Sequence, residues 1–239
     1  MSVSLEGAPR KTERSLASGT ELRSALGPFS RFEEYKPPMT APPKAASLQG
    51  LLIGVLAMTV IVTASNILVQ HPFNDWLTWG AFTYPFAFLV TDLANRRMGP
   101  AAARRIALVG FVLAVALSVW LATPRIAIAS GTAFLCAQLL DVAVFDRLRT
   151  GVWWRAPLVS STVGSALDTT LFFSMAFSAQ FAFLGPNEPW ALDPVPLLGA
   201  GPLTALWVSL AVGDFFVKLA IAIVALGPYR LLMGAPAKA

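Results

Sequence analysis

Charge is scarce in this chain of 239 residues: only 13% are Asp, Glu, Lys or Arg, against 56% hydrophobic. A soluble domain carries about 25% charged residues, so the shortage excludes an ordinary soluble fold and points to a polytopic membrane protein. Cysteine is almost absent. With Cys136 alone, no disulfide framework or cysteine metal cluster can form within one chain. Histidine is equally rare; His71 by itself excludes a multi-histidine metal site and would have to serve as the base of any Ser–His mechanism. Ser160, Ser161 and Thr162 mimic a nucleophile cluster but have no base beside them. The chain is therefore expected not to be an enzyme and to need no cofactor or metal. Alternating strand patterns are missing as well, which excludes a membrane β-barrel.

Residues 1 to about 45 contain no apolar run and are rich in Ser, Pro, Lys, Arg and Glu. A signal peptide needs a continuous apolar core, so this stretch reads as a disordered polar cytoplasmic tail, with a surface-bound element around 29–35 as a secondary reading. Six apolar segments follow, at about 48–69, 79–95, 102–122, 125–146, 156–184 and 201–226, within a transmembrane domain of 46–232 and before a tail of 233–239. About 20 helical residues span a bilayer. The expected fold is an all-α polytopic membrane protein with six transmembrane helices.

The net charge of +5 would suit nucleic acid, but its distribution argues for topology instead. Seven basic residues lie in the N-terminal tail; Arg96, Arg97, Arg104 and Arg105 lie between segments two and three, and Arg147, Arg149 and Arg155 between four and five. The intervening links have none, or only Arg125. By the positive-inside rule both termini are expected in the cytoplasm, and nucleic acid is not expected as a direct partner.

The stretch Trp79–Arg97 organises the chain. It is an apolar segment that nonetheless carries Asp92, and a charge at the bilayer centre costs roughly 2.5–3.5 kcal/mol. A helix that only anchors in lipid has no use for it; one that lines a polar cavity does. Pro85 removes a backbone donor, so a kink or break is expected in mid-membrane. The carbonyls it frees lie beside Trp79, Thr83 and Tyr84.

Ionisable and amide groups elsewhere in the segments are the remaining candidates. They are Asn66 in segment one, Asn95 beside Asp92, Gln138 and Asp141 at i, i+3, Asp168 in segment five, and Asp214 with Lys218 at i, i+4. Each has a plainer reading. Asp92 can pair with Arg96 one turn on, Asp141 can lie at the interface near Asp146 and Arg147, Asp214 and Lys218 can neutralise each other, and Asn66 and Gln138 can be interhelical glue. Asp168 has no cation one turn away, so its partner must come from another helix, a ligand or a proton. Trp79 and Tyr84 are candidates to stack on a planar ligand. Converging, these groups make a small, mostly apolar pocket with a few fixed donors and acceptors. The residues alone reach a transporter or receptor for a small polar molecule.

The runs ASNILVQ (64–70), WGAFTYPFAFLVTDLANRRMG (79–99), AQLLDVAVFDRLR (137–149), GSALDTTLFFSMAF (164–177) and GDFFVKLAIAIVALGPYRLL (213–232) closely resemble the vitamin uptake transporter (VUT) family of queuosine-precursor transporters. The likeness covers about 60–232 in the same order. It implies a six-helix inner-membrane protein similar in fold to the substrate-binding subunits of energy-coupling-factor vitamin importers. It also implies uptake of the 7-deazaguanines preQ0 and preQ1 for tRNA queuosine modification. Motif positions match at Asn66, Gln70, Trp79, Pro85, Phe86, Thr91, Asp92, Gln138, Asp141, Ser165, Asp168, Thr169, Asp214 and Lys218. Substrate contacts are expected among Asn66, Trp79, Tyr84, Asp92, Gln138, Asp141, Asp168, Asp214 and Lys218. The expected partners are a small planar nucleobase-like substrate and membrane lipid. An ATPase module or a homo-oligomer stays open, as does coupling to protons through Asp168, Asp92 or Asp141 against facilitated diffusion. One rival is a substrate-capture subunit docking on an ATPase through Gly54, Ala57 and Ala64 of segment one; the other is an intramembrane enzyme, for which the residues lack a convincing set.

Overall fold

The computed structural model describes residues 47–68, 71–74 and 77–233. The N-terminal tail, Gln70, Trp76 and residues 234–239 lie outside the described residues. The elements run α1 (Leu48–Leu68), a hairpin of β1 (Pro72–Asn74) and β2 (Leu77–Thr78), α2 (Gly80–Thr83), α3 (Phe86–Met98), α4 (Pro100–Leu121), α5 (Pro124–Leu148) and α6 (Arg155–Phe177). Short 3-10 turns at Ala179–Leu184 and Pro189–Leu192 lead into a hairpin of β3 (Pro194–Pro196) and β4 (Leu203–Ala205), and α7 (Leu206–Leu232) ends the bundle. The fold is an all-α membrane protein.

Among the described residues four helices, α1, α4, α5 and α7, are long and apolar enough to cross a membrane. All six expected segments are helical, but α2–α3 and α6 fall short of that measure because of what they carry. α3 has 13 residues and includes Asp92, Asn95, Arg96 and Arg97. α6 has 23 residues and includes Asp168 with Ser160, Ser161, Ser165 and Thr169, all buried. Their polarity is turned inward. α1 does the opposite: Leu52, Ile53, Leu56 and Val60 are 59–65% exposed, a face suited to lipid, while Met58, Val62 and Ser65 are buried.

α3 packs against α1, α4, α5, α6 and α7, so it sits at the centre of the bundle. The interruption expected at Pro85 is present. Tyr84 N–H still bonds Gly80 C=O, but Pro85 has no N–H, and the ladder resumes with short-range bonds from Ala87 to Tyr84 and Phe88 to Pro85. At its other end α3 stops at Gly99, whose φ of 86° is open to glycine at no steric cost, and Pro100 starts α4.

Two expected boundaries are corrected. Segment five stops as a helix at Phe177 rather than 184, because Arg125 draws off the carbonyls of Met175 and Ser178 and the chain turns out at Ser178 (ψ 140°). The sixth helix starts at Leu206 rather than 201, since 203–205 pair as β4. It also runs through Pro228 to Leu232, held by the fully buried Tyr229 that packs with Phe145 and Ala156.

Candidate functional site

On α3, Thr91 and Asn95 are one turn apart and face α5, while Asp92 turns toward α6. Asp92 accepts from Ser160 Oγ at 3.1 Å and from Ser161 Oγ at 3.2 Å. Thr91 Oγ1 lies 2.9 Å from Gln138 Oε1 and 3.3 Å from Asp141 Oδ2, and Asn95 Nδ2 donates to Val142 C=O at 3.0 Å. The carboxyls of Asp92 and Asp141 are within hydrogen-bonding reach of each other. Both are at most 1% exposed, and neither has an ion pair among the described residues. Three buried polar atoms here have no hydrogen-bond partner among the described residues: Asn95 Oδ1, Gln138 Nε2 and Asp141 Oδ1. Buried polar groups are ordinarily satisfied, so three orphans at one helix junction mark a place built for something further.

The helices can come this close because of Gly164. A Cβ there would lie 2.8 Å from Phe88 Cε1 and 3.3 Å from Asp141 Cβ, so glycine lets α6 settle onto α3 and α5.

A second cluster joins α6, α7 and the kink. Lys218 Nζ lies 2.7 Å from Asp168 Oδ2 and 2.6 Å from Asp214 Oδ2. It also donates to Thr169 Oγ1 at 3.1 Å, and Thr169 in turn donates to Asp214 at 2.7 Å. Tyr84 OH reaches Asp168 Oδ1 at 3.4 Å, and the Tyr84 ring lies under Lys218 at 5.5 Å. Two carboxylates share one ammonium, which leaves a formal charge of −1 in a buried site. The missing partner of Asp168 is thus Lys218 from another helix.

Three plain readings are overturned. Asp92 does not pair with Arg96, whose Nε donates to Tyr229 OH at 2.9 Å and whose guanidinium lies over Phe145. Asp141 is fully buried rather than interfacial, and the arginine beside that end, Arg149, pairs with Asp146. Asp214 and Lys218 are not a closed pair, since Asp168 shares the cation. Asn66 bonds Val62 C=O and accepts from Ser118 Oγ, at the α1–α4 contact, as interhelical glue does. Trp79 is 47% exposed with its ring tilted against Phe82.

A narrow crevice lies between α3, α6 and α7, lined among others by Pro85, Phe88, Asp92, Ser161, Ser165 and Lys218. Its free space of about 10 Å³ is room for one water. Of the nine expected contact residues, Asp92 and Lys218 line it; Tyr84, Gln138, Asp141, Asp168 and Asp214 stand behind those two in the clusters above, and Asn66 and Trp79 lie apart from it.

Two residues were not singled out by sequence reasoning. Phe88 supplies the aromatic wall of the crevice, and it was hidden among the many phenylalanines of an apolar run. Arg125 is 2% exposed and donates to the carbonyls of Met175, Gly185 and Ser178 and to Asn187 Oδ1, fastening the end of α6 to the segment after it. Its signal was there: a lone arginine in a link otherwise free of charge.

Comparison with known proteins places this arrangement. The family model described as "Putative vitamin uptake transporter" matches residues 78–123 and 117–232. A Haemophilus influenzae protein named "Probable queuosine precursor transporter" is 36% identical over 204 residues, covering 70% of this chain and 79% of its own. The "Queuosine precursor transporter" of Escherichia coli is 34% identical over 190 residues, 69% of this chain and 77% of its own. A Bacillus subtilis protein named "Probable queuosine precursor transporter" is 23% identical over 214 residues, 78% and 84% of the two chains. No solved structure matches. The first matched stretch contains α3 and the second contains α5, α6 and α7, the carboxylate-bearing helices described above, and the chain belongs to the vitamin uptake transporter family.

Proposed function

We propose that this chain imports a 7-deazaguanine precursor of queuosine, preQ0 or preQ1, across the inner membrane for tRNA modification. It acts as a transporter rather than an enzyme, with six membrane crossings and both termini in the cytoplasm. The names of the relatives support the substrate class. The observation that carries the reading is the convergence of carboxylates from α3, α5, α6 and α7, with one lysine among them, beside a crevice walled by Phe88.

The chemistry fits such a guest. A guanine-like edge presents N–H donors beside a carbonyl acceptor, and a carboxylate paired with an amide N–H complements it. Asp92, Asp141 and Gln138 take that edge, with Phe88 against the flat face. The aminomethyl cation of preQ1 suits the negative excess around Asp168 and Asp214. Tyr84 holds Asp168 and Lys218 in place, its ring already engaged by Lys218 and Phe134.

Room for one water cannot seat a bicyclic base, so transport requires α3, α6 and α7 to part. Pro85 lines the crevice and interrupts the helix there, which makes it the hinge of an alternating-access cycle. The orientation follows from the basic residues: Arg96 and Arg149 meet, beside Tyr229, at one end of the bundle, which faces the cytoplasm. A stand-alone transporter is favoured over an ATPase-docked capture subunit because Gly54 is used inside the bundle, against Ile106 of α4.

The test is counterflow. Vesicles holding the purified protein and unlabelled preQ0 are expected to draw in labelled preQ0 from outside. Vesicles that exchange neither preQ0 nor preQ1 overturn the proposal.

A further inference from the structure

We propose that Asp92 of α3 and Asp141 of α5 form a coupling-proton site, and that the precursor enters together with that proton. The inference rests on the transport reading for its second half; the presence of the proton stands on the geometry alone.

Two carboxyl groups in mutual reach, both at most 1% exposed, face each other without a cation among the described residues. Among the described residues, the cations of the helices packed against the pair are held elsewhere or face outward. Lys218 of α7 is held by Asp168 and Asp214, and Arg96 of α3 by Tyr229 and the Arg149 carbonyl. Arg149 of α5 pairs with Asp146 and Arg125 of α5 is held by the carbonyls after α6, while Arg97 of α3, Arg104 and Arg105 of α4, Arg147 of α5, Arg155 of α6 and Arg230 of α7 are exposed. α1 has no ionisable residue among those described. Like charges at such range in a low-dielectric interior do not both ionise.

The hydrogen count leads to the same place. Four carboxyl oxygens have at most three hydroxyl hydrogens, those of Ser160, Ser161 and Thr91, and Thr91 is also claimed by Gln138 and the carbonyls of Ala87 and Phe88, Ser160 by the carbonyl of Pro157. Asp141 Oδ1 and Asn95 Oδ1 remain acceptors with no donor. One proton on the pair relieves both the charge and the shortage. It also turns one carboxyl into a donor while the other stays an acceptor. That is the pairing a lactam edge needs, with Gln138 Nε2, buried and unpartnered, as the second donor. Proton and base therefore favour each other's binding, which is the condition for symport. The crevice at Asp92 gives the pair its access. Asp168, with Lys218 at 2.7 Å, has no need of a proton.

Infrared spectroscopy of the purified protein tests the proton without any substrate. The wild type at neutral pH is expected to show the carbonyl stretch of a protonated carboxylic acid. Asp168→Asn should keep that band, Asp141→Glu should shift it, and the double variant Asp92→Asn, Asp141→Asn should lose it. A wild type without the band, or an unshifted band in Asp141→Glu, overturns the site. Coupling is read in wild-type vesicles with labelled preQ0, which lacks the basic aminomethyl group of preQ1. An inward proton gradient of one pH unit should raise accumulation up to about tenfold, the value for one proton per base. Exchange indifferent to the proton gradient, or driven by sodium in its place, overturns symport. Vesicles that exchange no preQ0 refute the transport reading instead, and the infrared result still decides the proton.

Discussion

Lys218 is the cation on which the second cluster depends, and removing it has a calculable consequence. Its side chain is 5% exposed, between Asp168 at 6% and Asp214 at 13%, with contacts of 2.7 and 2.6 Å. Lys218→Gln leaves two buried carboxylates facing each other, and breaking a buried pair from one side costs about 3–5 kcal/mol. Net folding stability is about 5–15 kcal/mol in soluble domains, so the loss is large. A closed Asp214–Lys218 pair would be rescued by adding Asp214→Asn. The observed triad predicts otherwise: Asp168 then stays buried with only the Tyr84 hydroxyl at 3.4 Å, and the double variant remains destabilised. Adding Asp168→Asn as well should recover most of the stability. Asp168→Asn alone keeps the Lys218–Asp214 pair, so it should insert and unfold like the wild type while losing uptake. Thermal unfolding in detergent, followed by tryptophan fluorescence and size exclusion, reads the order. A double variant as stable as the wild type would refute the triad, and normal uptake by Asp168→Asn would remove that residue from the site.

Three further outcomes follow from other parts of the bundle. Gly164→Ala pushes a methyl to 2.8 Å from Phe88, and overpacking of this kind costs about 1–3 kcal/mol, measurable as a lower unfolding temperature together with impaired uptake. Pro85→Ala restores the missing backbone donor to Ala81 C=O, so the protein should be at least as stable but slower in vesicle exchange; unchanged exchange rates would show that the hinge lies elsewhere. Arg125→Met strips the donors from the carbonyls of Met175, Ser178 and Gly185, and limited proteolysis should then cut faster within 178–205.

The all-α architecture, the kink at Pro85 and the central position of its segment were legible because they follow from apolar length and from a missing N–H. The carboxylates were legible too, since a charge in an apolar run is expensive enough to stand out. Their partners were not. Whether Asp92 reaches Arg96 on its own helix or Ser160 and Ser161 on another depends on helix rotation, which α3 alone does not encode; it becomes visible once Gly164 brings α6 close. Asp168 illustrates the same limit. Its lack of a local cation was plain, but that Lys218 would serve both it and Asp214 required the α6–α7 contact. The helix ends at Phe177 and Leu206 do not show in the sequence because hydropathy continues past them; the first is set by Arg125, a long-range partner, and the second by the pairing of 203–205 with 194–196.

The central claim, import of a queuosine precursor, is tested most directly in a bacterial host that lacks both queuosine synthesis and its own precursor transporter. The chain is expressed there, nanomolar to micromolar preQ0 or preQ1 is supplied, and queuosine in tRNA is measured. Restored modification at low external precursor, lost with Asp168→Asn, is the predicted result. Unmodified tRNA, with the protein verified in the membrane, would contradict the account.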